Sequence, residues 1–263
     1  MIEASGLRRT FGKVVAVDDV SFRAEDGRVT ALLGPNGAGK STTLRILYTM
    51  IDPTGGSARV NGIDTVADPL GVRRVLGVLP HNAGIYQRLT ARENVRYFGR
   101  LNDLTDDQID ERIEGLADLL DMRSFLDRRA KGFSQGQRLK TALARALIHE
   151  PANIVLDEPT NGLDVMATRA LREIISNLAH AGKCVLFSSH IMQEVASLCD
   201  DIVIIAAGRV RAAGSADEIR AQTGEPDLED AFVRAVERAA ETDAENTAGQ
   251  AGSNATTDTR GDA

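Results

Sequence analysis

Residues Gly34 to Thr42 read GPNGAGKST. The stretch fits G-x-x-x-x-G-K-[ST], a loop whose glycines let successive backbone N–H groups turn inward around phosphate oxygens. Its context fits as well. The run before it, RVTALL, is strand-like, and the run after it, STTLRILYTM, is helical. Strand, glycine loop and helix N-terminus in that order set a partial positive charge behind bound phosphates. Lys40 is expected to reach the β- and γ-phosphates, and Ser41 to ligate Mg²⁺.

Two further strand ends belong with this loop. NIVLDEPT, Asn153 to Thr160, is an apolar strand closing on Asp157 and Glu158. In a parallel sheet its carboxyl end faces the phosphate crevice. Asp157 suits the Mg²⁺ shell, and Glu158 can accept a proton from an attacking water. LFSSH ends another apolar strand on His190, a candidate donor to a γ-phosphate. His149 and His180 read as plain polar positions.

Between these landmarks the chain changes rhythm. Strand-like runs fill the first third (VSFRAEDGRVTALLG, GSARVNG and RRVLGVLP), with turn signals at Gly55-Gly56 and Asn61-Gly62. From Thr105 to Met122, Ile109, Ile113, Leu116, Ala117 and Leu120 recur at helical spacing. Thr105 and Gln108 fit a capping box at the start of that helix. The segment from about Tyr86 to Arg129 is therefore expected to be mainly helical. An α/β alternation then resumes. It runs through helix Gln135–His149, strand Asn153–Asp157, helix Val165–His180, strand CVLFSSH, a short helix and strand DIVIIAAG. Continuously apolar strands between helices imply a parallel sheet covered on both faces. EPDLEDAFVRAVERAAE reads as a last helix, and the Ala-, Gly- and Thr-rich tail beyond it as disordered.

Bulk properties narrow the function. The net charge is −7, and the residues from Glu225 onward carry ten acids against three bases, so the body is near neutral. That argues against a nucleic-acid footprint, which needs clustered base. Cys184 and Cys199 lie in apolar surroundings and read as reduced, buried thiols. The N-terminal residues lack the apolar run of a signal peptide, and Ile202 to Ala207 falls far short of the ~20 residues that span a bilayer. Membrane work would go through a partner.

A second glycine loop, in KGFSQGQRLKTALARAL from Lys131 to Leu147, also opens a helix. Read alone it is a helix N-capped by Ser134. Taken with GPNGAGKST, LDEPTNGLD and SSH, in this order and spacing, FSQGQ makes residues 2 to 220 resemble the nucleotide-binding subunit of ABC transporters. LTARENVRYFGRL and LEDAFVRAV resemble the drug- and sodium-efflux exporters among them.

The resemblance implies an α/β fold with a P-loop NTPase core of mainly parallel sheet. It adds an N-terminal antiparallel β subdomain and a helical insert carrying the signature loop. Residues 1–220 would form the ATP-binding domain, with the insert at about 86–150. A C-terminal helix at 221–241 and a disordered acidic tail at 242–263 would follow.

The resemblance also implies site residues. Gly34, Pro35, Asn36, Gly37, Ala38, Gly39, Lys40, Ser41 and Thr42 would bind ATP, with Phe11 stacked on adenine. Lys40, Glu158 and His190 would be catalytic, and Ser41 and Asp157 would hold Mg²⁺. Ser134, Gln135, Gly136 and Gln137 would close over the ATP of a second subunit paired head to tail. That pairing is a homodimer or a heterodimer of ATP-binding subunits, and Asp164 would contact the partner. The dimer would sit on the cytoplasmic face of the cell membrane, peripheral through a membrane-spanning permease, and would bind no nucleic acid.

Two departures stand out. The family commonly carries Gln where this chain has His81. A histidine can bind metal through a neutral nitrogen or accept a hydrogen bond from bound water, and Asn82 or Gln87 could substitute. Gln135 replaces the usual first glycine of the signature pair, which would be costly if the position needs positive φ. The rival readings are a soluble ABC ATPase of DNA repair or translation and a non-hydrolysing nucleotide-binding regulator. The first usually has paired ATPase units, a long coiled coil or metal-binding cysteines. Against the second stands the intact Asp157-Glu158 pair.

Overall fold

Three strands of five or six residues, β3 (Val29–Leu33), β7 (Asn153–Asp157) and β8 (Cys184–Ser189), are buried at every position. They are the centre of the protein, described by a computed structural model over residues 1–238. Total burial requires cover on both faces, and successive side chains alternate between two apolar cores. Ala31, Leu33, Ile154, Leu156, Val185 and Phe187 point into one core, with the helices. Leu32, Val155, Leu186 and Cys184 point into the other, against a second sheet.

Chain order explains the two layers. β1 (Ile2–Phe11), β2 (Val14–Ala24), β4 (Gly55–Val60) and β5 (Ile63–Asp64) form an antiparallel sheet in the order β2-β1-β4-β5. α1 (Lys40–Leu47) follows β3, and α2 (Pro69–Val75) leads into β6 (Leu76–Leu79). Next come α3 (Ala91–Leu101), α4 (Asp106–Leu119) and α5 (Gln135–Leu147). α6 (Val165–His180) joins β7 to β8, and α7 (Met192–Leu198) joins β8 to β9 (Asp201–Ala206). β10 (Arg209–Gly214) and α8 (Ala216–Thr223) follow, with a last helix over 228–238. The main sheet runs β10-β9-β3-β8-β7-β6, parallel except for the β9–β10 hairpin.

The capping box expected at Thr105 is formed, Thr105 accepting from the Gln108 amide and Gln108 from that of Thr105. Asn61 and Gly62 take φ of 54° and 79° between β4 and β5, as a two-residue hairpin turn requires. The Gly55-Gly56 signal is corrected. The pair begins β4, and Gly56, with φ of 73°, lies so near β1 that a Cβ would meet the Gly6 carbonyl at 2.1 Å. Gly56 marks a close backbone approach, not a turn. The helix expected over Gln135–His149 ends at Leu147.

Both cysteines are free, and burial pushes both thiol pKa values up, that of Cys184 to about 11. Among the described residues no helix is long and apolar enough to cross a membrane. The tail from residue 242 and the end of the expected last helix lie outside the described residues.

Candidate functional site

The GPNGAGKST loop lies at the seam between the two sheets. Gly39, φ 103°, is the N-cap of α1 and packs so close to β2 that a Cβ would meet the Ala16 carbonyl at 2.5 Å. Only glycine fits there. From the other side, the Gly208 amide donates to the Ala38 carbonyl at 3.0 Å, and the Asp18 amide donates to the Gly208 carbonyl at 2.7 Å. Asn36, Gly37, Ala38, Gly39, Lys40, Ser41 and Thr42 line a pocket of about 270 Å³ that Glu158 also borders. Gly34 and Pro35 form the loop's entry, where their carbonyls accept from Lys40 Nζ at 2.6 and 3.1 Å. Burial holds the Lys40 pKa below its ordinary value, with Glu158 and Asp157 opposing. A phosphate offered to this pocket would supply the counter-charge that the ammonium lacks.

β7 delivers the acids beside the loop. Asp157 Oδ1 accepts from Ser41 Oγ at 3.2 Å and from Ser188 Oγ at 2.7 Å. Ser188 also accepts the Glu158 amide at 2.9 Å, so one buried hydroxyl on β8 fixes both acids. Glu158 has φ of 50°, an uncommon conformation for a non-glycine residue, and its side chain is 14% exposed. A residue held in such a conformation is over-determined by its surroundings.

Two imidazoles reach Glu158 from opposite sides. His81 Nδ1 is 3.4 Å from one carboxylate oxygen, and His190 Nδ1 is 3.5 Å from the other. His81, Asn82, Ser41, Asp157 and Glu158 share a cleft of about 440 Å³. Gln87 does not line it. The loop after β8 is held by Glu194, which is buried and accepts from Thr160 and Ser189 hydroxyls at 2.7 and 3.2 Å.

The remaining candidates lie elsewhere. Ser134 caps α5 in a reciprocal box with Gln137 and is exposed. Gln135 stands at the first helical position without positive φ, so the glycine-to-glutamine change carries no backbone strain. Its amide donates to the Asn161 carbonyl at 3.0 Å. A Cβ at Gly136 would meet only ordinary contacts. None of these four residues lines the phosphate pocket of its own chain. Phe11 is 45% exposed at the β1–β2 hairpin, under the Arg9 guanidinium at 4.7 Å, so it is not a core residue. Asp164 caps α6 through the Ala167 amide. His180 bonds its own helix at Ser176, whereas His149 is half-buried beside Leu76, and burial pushes its pKa down.

Ser188 and Glu194 are the site residues that sequence reasoning missed. Ser188 stands inside the quoted SSH, but only the register Asp157↔Ser188 between β7 and β8 reveals its role. Ser188→Ala would strand the Glu158 amide and strip a donor from Asp157. The expected cost is about 1–3 kcal/mol, read as a lower urea midpoint at unchanged slope. An unchanged midpoint would show the hydroxyl to be dispensable.

This geometry has known counterparts. The family described as ABC transporter matches residues 17–161. ABC transporter ATP-binding protein NatA of Bacillus subtilis (strain 168) is 45% identical over 221 residues, 84% of this chain and 90% of its own. Daunorubicin/doxorubicin resistance ATP-binding protein DrrA of Streptomyces peucetius is 37% identical over 223 residues, 85% of this chain and 68% of its own. A solved structure, the ATP binding subunit of an ABC transporter, is 30% identical with a TM-score of 0.82, covering 89% of this chain and 99% of that one. The chain belongs to the ABC transporter family and is one of its ATP-binding, ATP-hydrolysing cassettes.

Proposed function

We propose that this chain powers export: two ATP-binding subunits close head to tail around two ATP molecules and drive a separate membrane-spanning permease. One observation carries the reading. Ser134, Gly136 and Gln137 stand away from their own phosphate pocket, with Ser134 exposed at the tip of α5. A second copy, or a related subunit, can bring them to the nucleotide. Residues 1–220 form the ATP-binding unit in this reading, with the insert at about 86–150 and the C-terminal helix appended. The names of relatives support the exporter class. They include the drug-resistance protein above and a Nod factor export ATP-binding protein of Cupriavidus metallidurans, 35% identical.

In this reading Phe11 stacks on adenine, and the loop amides and Lys40 hold the β- and γ-phosphates. Glu158 takes a proton as water attacks the γ-phosphorus and ADP departs. His190 donates to the γ-phosphate, and Asp164 meets the partner subunit. Ser41 and Asp157 put a hydroxyl and a carboxylate oxygen 3.2 Å apart, a hard-oxygen pair suited to Mg²⁺. Among the described residues no group of three or more His, Cys, Asp or Glu could hold a metal, so the nucleotide would complete the shell. Bound there, Mg²⁺ would neutralise phosphate charge. His81 borders the same cleft, and its distance to Glu158 favours contact with that carboxylate.

Phe11→Ala should raise the KM for ATP about 2- to 10-fold, the worth of one aromatic stack, with kcat little changed. An unchanged KM, read by phosphate release, would remove Phe11 from the adenine site. The reading as a whole is tested in vesicles. Hydrolysis by this chain should be stimulated by its reconstituted permease, with substrate crossing the bilayer. Stimulation by duplex DNA or ribosomes instead would move the chain to a soluble role in repair or translation.

A further inference from the structure

Arg145, in the last turn of α5, is half-buried, and none of the described carboxylates pairs with it. Its guanidinium lies 3.8 Å from the Phe98 ring centroid and 5.9 Å from that of Tyr86. The buried Nε has no partner. Desolvation pushes its pKa down. A half-buried cation without a counter-ion carries a desolvation cost, which Met or Leu in the same space would avoid. Besides the Phe98 ring face, the guanidinium has one hydrogen-bond grip: Nη1 donates to the Gly84 carbonyl at 2.7 Å.

Gly84 belongs to the segment that carries His81. Residues 80–86 form neither helix nor strand, so their placement depends on such anchors. At Tyr86 the segment is pinned to α3, where buried Asn94 bonds both the amide and the carbonyl of Tyr86 at 2.9 and 3.0 Å. At Gly84 it is pinned to α5. The far end of α5 carries Ser134 and Gln135, and Gln135 bonds the Asn161 carbonyl, three residues past Glu158. Contacts therefore close a ring: Glu158 to His81, along the segment to Gly84, through Arg145 into α5, then through Gln135 to Asn161 and back. His81, Gly84, Gln135, Ala142, Glu158 and Asn161 line the cavity of about 530 Å³ inside it.

We propose that Arg145 is a positioning residue that fastens the His81 segment to the signature helix, so that a displacement of α5 resets His81 against Glu158. The helix is a rod of about 20 Å at 1.5 Å per residue, so a push on its capped end reaches Gly84 with little loss. The occupant that pushes is the nucleotide of the paired subunit, and in that respect the inference rests on the reading above. The signature end and the catalytic acid of one chain are thereby linked through a side chain that touches neither.

The test is a double-mutant cycle in ATP hydrolysis, using Arg145→Met and Arg145→Lys with and without His81→Ala. With His81 present, Arg145→Met should lower kcat about tenfold, with the KM for ATP changed less than about twofold. Arg145→Lys, which keeps a donor for Gly84, should recover to within about threefold of the parent. In the His81→Ala background, Arg145→Met should cost less than about twofold, because the positioned group is gone. A side chain that only holds the fold together would cost the same factor in both backgrounds, and that outcome overturns the proposal.

If Arg145→Met does not fold, amide exchange on the unaltered chain decides. With a non-hydrolysable ATP analogue, residues 81–86 and 134–140 should gain protection at one shared midpoint, and separate midpoints refute the link. Failure of the paired-subunit reading shows differently, as no increase in mass on adding the analogue. The hydrolysis cycle remains readable in that case.

Discussion

Glu158→Gln is expected to cut ATP turnover at saturation by about 10²–10⁴-fold, the usual worth of a general base, while ATP still binds. The amide keeps the size and planarity of the carboxylate, so the φ of 50° and the Ser188 bond to the Glu158 backbone amide are undisturbed. The change removes the carboxylate charge, and with it the proton acceptor for water and the anionic partner of His81, His190 and Lys40. If, as proposed, ATP joins two subunits and its hydrolysis parts them, the variant should accumulate as an ATP-bound pair with twice the mass by light scattering. Phosphate release measures the turnover. Turnover within about tenfold of the parent would remove Glu158 from the base role. A variant that binds ATP but stays single would count against the paired arrangement instead.

A mixing experiment should give the second large effect. Lys40→Ala removes the ammonium that closes the phosphate loop on Gly34 and Pro35. Ser134→Arg places a long cation at the exposed cap of α5. Each variant alone carries its lesion at both sites of a pair and should lose about 10²–10³-fold or more, as when one transition-state donor is removed. Mixed, one site collects both lesions and the other is intact. With equal amounts, half of the pairs are mixed and each has one good site, so activity should return to roughly a quarter of the parent value if sites act independently. No recovery on mixing would mean that both loops serve a nucleotide within one chain.

Much of the fold could be read directly, for physical reasons. β7 and α6 were expected at Asn153–Asp157 and Val165–His180 and have those bounds. An all-apolar strand and a helix with a clear stripe leave few alternatives. β1 and β10 escaped notice because charged and small residues interrupt them, as in RVRAAG. α8 buries only Ile219 and Thr223, too few to show a period.

The motif positions of the site were legible, but its convergence was not. His81, Glu158 and His190 lie far apart in the chain. They meet because β6, β7 and β8 are neighbours running in parallel, so their carboxyl ends share one edge. Strand order is a tertiary property that no local pattern carries. Gln135 teaches the converse. Its cost depended on a backbone angle, and at the first turn of a helix that angle suits any residue.

The seam at Gly39 and Gly208 has a consequence for the life of the protein in a cell. The loop is hydrogen-bonded to Gly208 on one side and packed against β2 on the other, so the sheets cannot part while it keeps its shape. Nucleotide therefore binds the intact fold and not partly opened forms. A ligand at a hundred times its Kd adds about 2.7 kcal/mol to the folded state, which lowers the share of chains open to proteases about a hundredfold. Abundance of the subunit would then follow the nucleotide supply: starved cells would clear idle copies faster than fed ones, with no dedicated regulator.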